Sequence, residues 1–113
     1  MPGISIHVVD VSRGVVATGM RVELHRADAL VAGGQVGTSG LLEHPALKER
    51  FTAGPYRAVF HVADYYGKAG VALPEHPFLG VVHYDFAVDQ PDQHYHLPFK
   101  CTPWGYSCFR GGA

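Results

Sequence analysis

The sequence predicts an all-β fold, a two-sheet sandwich of about eight short strands. Three observations predict it: runs that alternate apolar and polar residues with period two, turn-forming residues between those runs, and no segment that holds a helical period for more than a turn or two. Ile4-Ser5-Ile6-His7-Val8-Val9 opens the series, and Ser12-Arg13-Gly14 ends that run. Met20 to His25 is the cleanest alternation. Met20, Val22 and Leu24 point one way and Arg21, Glu23 and His25 the other, as in a strand with one wet face. A weaker run extends from Leu30-Val31 to Val36; the turn signal Gly37-Thr38-Ser39-Gly40 follows, and Leu41-Leu42 resumes the chain as a short strand. Gly54-Pro55 punctuates the start of Tyr56 to Val62. Phe78 to Val88 and Gln93 to Cys101 complete the longer runs, and Thr102-Pro103-Trp104-Gly105 turns the chain into Tyr106-Ser107-Cys108-Phe109. Helix is confined to Pro45 to Phe51 and Asp64 to Gly70, both too short to carry a core.

A chain of 113 residues has room for one core, so residues 1–113 are read as a single domain. Hydrophobic residues make up 47% and charged residues 17%, which excludes a disordered chain. Nine Lys and Arg against ten Asp and Glu leave a formal charge of −1 without a basic cluster, and nucleic acid is a poor partner for such a surface. No apolar stretch approaches the ~18 residues of a membrane span. The N-terminus lacks the cationic start and apolar run of a secretory signal, so a cytoplasmic location is expected. Cys101 and Cys108 are too few for a disulfide framework, and reduced packing thiols are expected. Their placement about the Trp104-Gly105 turn still makes a cross-hairpin disulfide conceivable. Trp104 and Phe99 are read as packing residues. In so small a sandwich the edge strands call for cover, and pairing with another subunit supplies it.

The unusual feature is eight histidines. His94 and His96 share one face of a strand with Tyr95 opposite, and His7 points away from whatever Ile6 and Val8 bury. Imidazoles titrate near neutral pH, so such a group can supply a base and, where one member is shifted upward, an acid. From the residues alone, the favoured explanation of His94 and His96 is a place in an interface or a bond to a backbone carbonyl, and His7 reads as a surface or interface histidine. His-x-His plus a distant His7 also has the ligand count of a three-histidine zinc site. Strand-borne pairs of this kind occur without metal, and neither metal nor cofactor is assigned. His25, His44, His61, His76 and His83 have no motif support and are read as surface, turn or packing residues.

Ile4-Ser5-Ile6-His7-Val8-Val9-Asp10, with Gly14, Ala17 and Val22-Glu23-Leu24, resembles the opening of the transthyretin-related 5-hydroxyisourate hydrolases. Gly54-Pro55-Tyr56-Arg57 with Asp64-Tyr65-Tyr66 is similar to that family's G-x-Y-R strand and short helix. His94-Tyr95-His96-Leu97-Pro98, Gly105-Tyr106-Ser107 and Phe109-Arg110-Gly111-Gly112 are similar to its H-Y-H-V-P segment and C-terminal Y-R-G-S tetrapeptide. The resemblance covers nearly the whole chain. It implies a transthyretin-like sandwich with one short helix, assembled as a homotetramer (a dimer of dimers) with sites along a central channel. It further implies opening of the 5-hydroxyisourate ring by water, with no metal or organic cofactor. By position it assigns catalysis to His7, His96 and Arg110, and substrate binding to Leu41, His94, Phe109, Gly111 and Gly112.

The departures from the family bear on function. Ser39-Gly40-Leu41 stands where the family usually has an arginine after a D-G turn, so Leu41 occupies the catalytic arginine's position. Phe109 replaces the tyrosine of the tetrapeptide and Gly112 its serine. The stretch from Gly67 to Pro77 is longer than the family norm, and F-F-P-E has become Phe78-Leu79-Gly80-Val81. Losing a well-placed oxyanion donor costs on the order of 3 kcal/mol, and the exchanged residues suit a larger, more aromatic substrate. The expected function is therefore histidine acid/base catalysis on a small cyclic or heteroaromatic substrate in an intersubunit channel. Recruitment to a ring-forming or ring-altering step of specialised metabolism is favoured, such as a Pictet–Spengler-type cyclisation. The alternatives are genuine 5-hydroxyisourate hydrolysis in purine (urate) catabolism, and non-catalytic small-molecule carriage as in transthyretin.

Overall fold

Period-two alternation decides the architecture. In a computed structural model that describes residues 2–112, the strands are β1 (Gly3–Asp10), β2 (Val15–Val16), β3 (Arg21–Arg26), β4 (Ala29–Gln35), β5 (Gly54–His61), β6 (Val81–Val88), β7 (His94–Thr102) and β8 (Gly105–Cys108). They form two four-stranded sheets, β2-β1-β7-β8 and β4-β3-β5-β6, packed as a sandwich. Ile4, Ile6 and Val8 of β1 and Tyr95, Leu97 and Phe99 of β7 point into the core, where they meet Val22, Leu24 and Phe60 of the other sheet. The Phe60 and Phe99 rings stack across the sandwich with centroids 3.8 Å apart. Each fully buried side chain of this size stabilises the fold by roughly 1.5–3 kcal/mol. Among the described residues no helix is long and apolar enough to cross a membrane.

Both expected helices exist, in altered form. Pro45–Lys48 is a single 3-10 turn, begun by the His44 ring, whose Nδ1 accepts from the Ala46 N–H at 3.1 Å. The α-helix α1 (Val62–Lys68) starts two residues earlier than Asp64, because Val62, Tyr65 and Tyr66 bury one face against the sandwich. Leu41-Leu42 is not a strand but a crossing. Leu41 bridges to His7 in one sheet and Leu42 to Val36 beside the other, so neither register is sustained. Val15–Val16, too short to show a period, pairs with Val9 and Asp10. The hairpin between β7 and β8 turns on the two residues Pro103 and Trp104, which pairs Cys101 with Tyr106 and Cys108 with Phe99. The cysteines therefore do not face each other. Both are free thiols whose pKa burial pushes up to about 11. Phe99 packs as expected. Trp104 sits on the turn tip, 64% exposed, with Phe78 as its aromatic neighbour.

One carboxylate locks the end of β1 to α1. Asp10 is fully buried and accepts from Ser12 Oγ at 2.6 Å, Tyr66 OH at 2.7 Å, Arg13 Nε at 2.8 Å and Tyr65 OH at 3.0 Å. Burial works to raise its pKa, but the bonds from Arg13, Ser12, Tyr66 and Tyr65 outweigh it and hold the group at about 2. Replacing Asp10 by Ala removes the acceptor that Ser12, Arg13, Tyr65 and Tyr66 share, leaving Tyr66 only the Cys101 carbonyl and Tyr65 only the Arg13 guanidinium, and urea unfolding is expected to show a loss of about 3 kcal/mol. A loss below about 1 kcal/mol contradicts the lock. The depressed pKa means that stabilisation by Asp10 is present above its ordinary value of 3.8 and is lost as pH falls toward 2. Wild type is therefore expected to lose stability over that interval, and Asp10→Ala is expected to lose less, its remaining acid sensitivity coming from groups such as Glu23 and Asp85, whose pKa values are also lowered.

Candidate functional site

β1 and β7 pair in parallel, with Gly3 opposite His94, Ser5 opposite His96 and His7 opposite Pro98. Because their inward positions are filled by core side chains, Ser5 and His7 of β1 and His94 and His96 of β7 all project from the outer face of the sheet. Ser5 Oγ lies 2.8 Å from His94 Nε2 and 2.5 Å from His96 Nδ1. The His94 Nδ1 is 3.4 Å from the Pro2 carbonyl. Burial lowers the His96 pKa below the ordinary imidazole value, and the charges of His7 and His94 lower it further. A neutral, base-competent ring at neutral pH is the result.

Glycines back two of the rings. A Cβ on Gly111 would come within 2.8 Å of His96 Cδ2, while the Gly111 N–H donates to the His96 carbonyl at 2.7 Å. The tail thus lies against His96, and Pro98 on the same side of the strand has no N–H that needs a partner there. A Cβ on Gly40 would come within 2.6 Å of His7 Nε2, and its φ of +86° disfavours other residues. His7 Nε2 is 3.2 Å from the Ser39 carbonyl, so that nitrogen carries the proton and Nδ1 is the accepting one.

Leu41 lies beside His7 through its backbone bridge, and its side chain helps wall a cavity of about 580 Å³ together with Ile4, Leu42 and Leu47. Ser5 and His94 line the same cavity. The structure therefore brings together His7, His94, His96, Leu41 and Gly111. It holds Arg110 apart from the imidazoles: the guanidinium lies 3.9 Å over the Tyr95 ring, donating to Gln93 Oε1 at 3.0 Å and to the His94 carbonyl at 3.4 Å. Phe109 is half exposed beneath the Lys100 ammonium, and among the described residues no heavy atom other than those of its chain neighbours lies within 4 Å of the Cβ position of Gly112. Among the described residues no group of three or more His, Cys, Asp or Glu is placed to hold a metal ion.

Sequence reasoning missed Ser5 and Gly40. The signal for Ser5 was available, since it shares the His7 face of an alternating strand. Gly40 had none, because its contact is made across the Leu41 crossing. The unassigned histidines are local: His25 and His61 both bond Glu23, at 2.8 and 3.3 Å, and His83 faces Arg57.

A model of the HIUase/Transthyretin family matches residues 4–111. The 5-hydroxyisourate hydrolase of Deinococcus radiodurans is 40% identical, over 97% of this chain and 96% of its own. The solved structure of Klebsiella pneumoniae 5-hydroxyisourate hydrolase is similar with a TM-score of 0.85 at 27% identity, covering 99% of this chain and 100% of that one. The crystal structure of (S)-allantoin synthase matches 97% of this chain with a TM-score of 0.89 at 34% identity, and this chain covers 43% of that protein.

Histidine resonances followed by NMR against pH test the electrostatics of the site. The His96 midpoint is expected below 6.5, and in His7→Ala it is expected to rise, because one positive neighbour is gone. A His96 midpoint above 6.5 contradicts the described environment.

Proposed function

This chain belongs to the HIUase/transthyretin family, and we propose that it is a hydroxyisourate-hydrolase-like enzyme that opens the ring of 5-hydroxyisourate by histidine acid/base catalysis. The observation that carries this reading is His96, a ring kept neutral by burial on the same outward face as His7 and His94. In the proposed reaction His96 takes a proton from water as the water oxygen bonds to a ring carbonyl carbon. The tetrahedral adduct then expels the ring nitrogen, which receives a proton from an imidazolium, and the C–N bond is broken with the catalyst restored. His7 is the second acid/base group. Arg110, one residue before the glycine that backs His96, is assigned the orienting role with its planar fork, which requires its guanidinium to leave the Tyr95 ring and turn to the substrate. Leu41, His94, Phe109, Gly111 and Gly112 bound the substrate. No metal or organic cofactor takes part.

The same proposal completes the site in a homotetramer, a dimer of dimers. Edge strands β6 and β8 carry the exposed Val81 and Tyr106, with Phe78 and Trp104 beside them, and other copies cover these residues. Sedimentation at assay concentration is expected to give a tetramer, and a monomer that turns over substrate contradicts an intersubunit site.

A second reading is favoured by the apolar wall that Leu41, with Ile4, Leu42 and Leu47, gives the cavity that Ser5 and His94 also line. Here the same imidazoles serve another ring-forming or ring-altering step, such as a Pictet–Spengler-type cyclisation of a small heteroaromatic substrate. Retention of the imidazole set speaks against a pure carrier, which has no use for it.

Freshly made 5-hydroxyisourate, followed by its ultraviolet decay against the spontaneous rate, separates the readings. Acceleration by wild type is expected, with a loss of roughly 100-fold or more in His96→Ala and in His7→Ala. Decay at the spontaneous rate contradicts the hydrolase and leaves the recruited enzyme.

A further inference from the structure

Ser5 has one hydroxyl proton, and two imidazole nitrogens contact its oxygen, His96 Nδ1 at 2.5 Å and His94 Nε2 at 2.8 Å. The far nitrogen of His94 faces the Pro2 carbonyl at 3.4 Å. A carbonyl only accepts, so neutral His94 carries its proton on Nδ1 and presents a lone pair at Nε2. Ser5 must then donate to His94 and accept from His96, which places the His96 proton on Nδ1 and leaves its Nε2 bare.

We propose that Ser5 is a positioning residue whose hydroxyl, oriented by His94, locks His96 in the Nδ1–H tautomer and relays onward to His94 the proton that His96 Nε2 receives. The bonds balance. When His96 Nε2 gains a proton, its Nδ1 proton passes to Ser5 Oγ while the hydroxyl proton passes to His94 Nε2. The products are a neutral Nε2–H ring at His96, an intact serine and an imidazolium at His94. Burial and neighbouring charge disfavour the cation on His96 and support the transfer. The ionisable groups facing this chain are His7 beside His96, and His44, Glu43 and Lys48 around the cavity that His94 and Ser5 line. The catalytic use of the relay rests on the hydrolase-like reading above, whereas the tautomer does not.

Nitrogen-15 NMR of histidine-labelled protein without substrate, at a pH where the imidazoles are neutral, reads the tautomer directly. In wild type a pyrrole-type Nδ1 and a pyridine-type Nε2 are expected at His96. Ser5→Ala is expected to give a tautomer mixture, and Ser5→Thr, which keeps the hydroxyl, to restore the wild-type signature. With 5-hydroxyisourate, kcat is expected to fall by roughly 10-fold or more in Ser5→Ala with KM little changed, and to recover in Ser5→Thr. An Nε2–H tautomer at His96 in wild type, or a signature unmoved by Ser5→Ala, overturns the relay. A locked tautomer lost and regained in these variants supports the lock even where 5-hydroxyisourate is not turned over, a result that sinks only the hydrolase reading; turnover by wild type with kcat unchanged in Ser5→Ala overturns the relay.

Discussion

The parallel ladder between β1 and β7 is the constraint on which the site depends. Its members are far apart in the chain, Ser5 and His94 being separated by 89 positions, so no local preference brings them together. Burial does. Ile4, Ile6 and Val8 on one strand and Tyr95, Leu97 and Phe99 on the other enter a single core. A slip of one residue would turn all of them to the outside. At roughly 1.5–3 kcal/mol for each buried side chain, that penalty far exceeds anything gained by exchanging half-buried imidazoles for water contact. The apolar positions thus dictate the register, and the register puts Ser5 opposite His96 and His7 opposite Pro98. The geometry of the site is inherited from packing.

Two further features hold what the ladder sets. Asp10 gathers Tyr65 and Tyr66 of α1 and the Ser12-Arg13 turn at the far end of β1, so the strand is anchored beyond its last pairing. At the other end, the tail folds back along β7, with the Arg110 guanidinium on the Tyr95 ring and the Gly111 amide on the His96 carbonyl. The Tyr95 hydroxyl itself accepts from the Asp89 and Gln90 amides, so the platform under Arg110 is fixed by the turn before β7. Each histidine ring is consequently held by backbone or by a short side chain. Such support loses little rotamer entropy, and it suits the proposed role, in which one nitrogen of the ring faces substrate.

Much of the fold could be read before any coordinates. Alternation in Met20 to His25 and in Ile4 to Val9 identifies inward and outward faces correctly, because one buried face is the physical cause of period two. What alternation cannot show is partner and offset. The hairpin at Pro103-Trp104 is displaced from the Trp104-Gly105 centre, which separates Cys101 from Cys108. Leu41-Leu42 divides its two bridges between sheets and so never becomes a strand. At the site, His7, His94 and His96 were legible from spacing and family resemblance. Ser5 was readable as a neighbour of His7 on one strand face, but its pairing with His94 and His96 is created by the ladder. Arg110 illustrates the opposite limit: its presence is readable, whereas its stacking on Tyr95 depends on where β8 ends.

In the proposed function, β1 and β7 deliver His7 and His96 to one reaction as a unit. A double-mutant cycle on kcat/KM with freshly prepared 5-hydroxyisourate tests it most directly, using His7→Ala, His96→Ala and the double variant. Strong non-additivity is expected, the double variant being hardly slower than the slower single one. Losses that multiply independently would contradict it, showing that the two imidazoles do not act in one step.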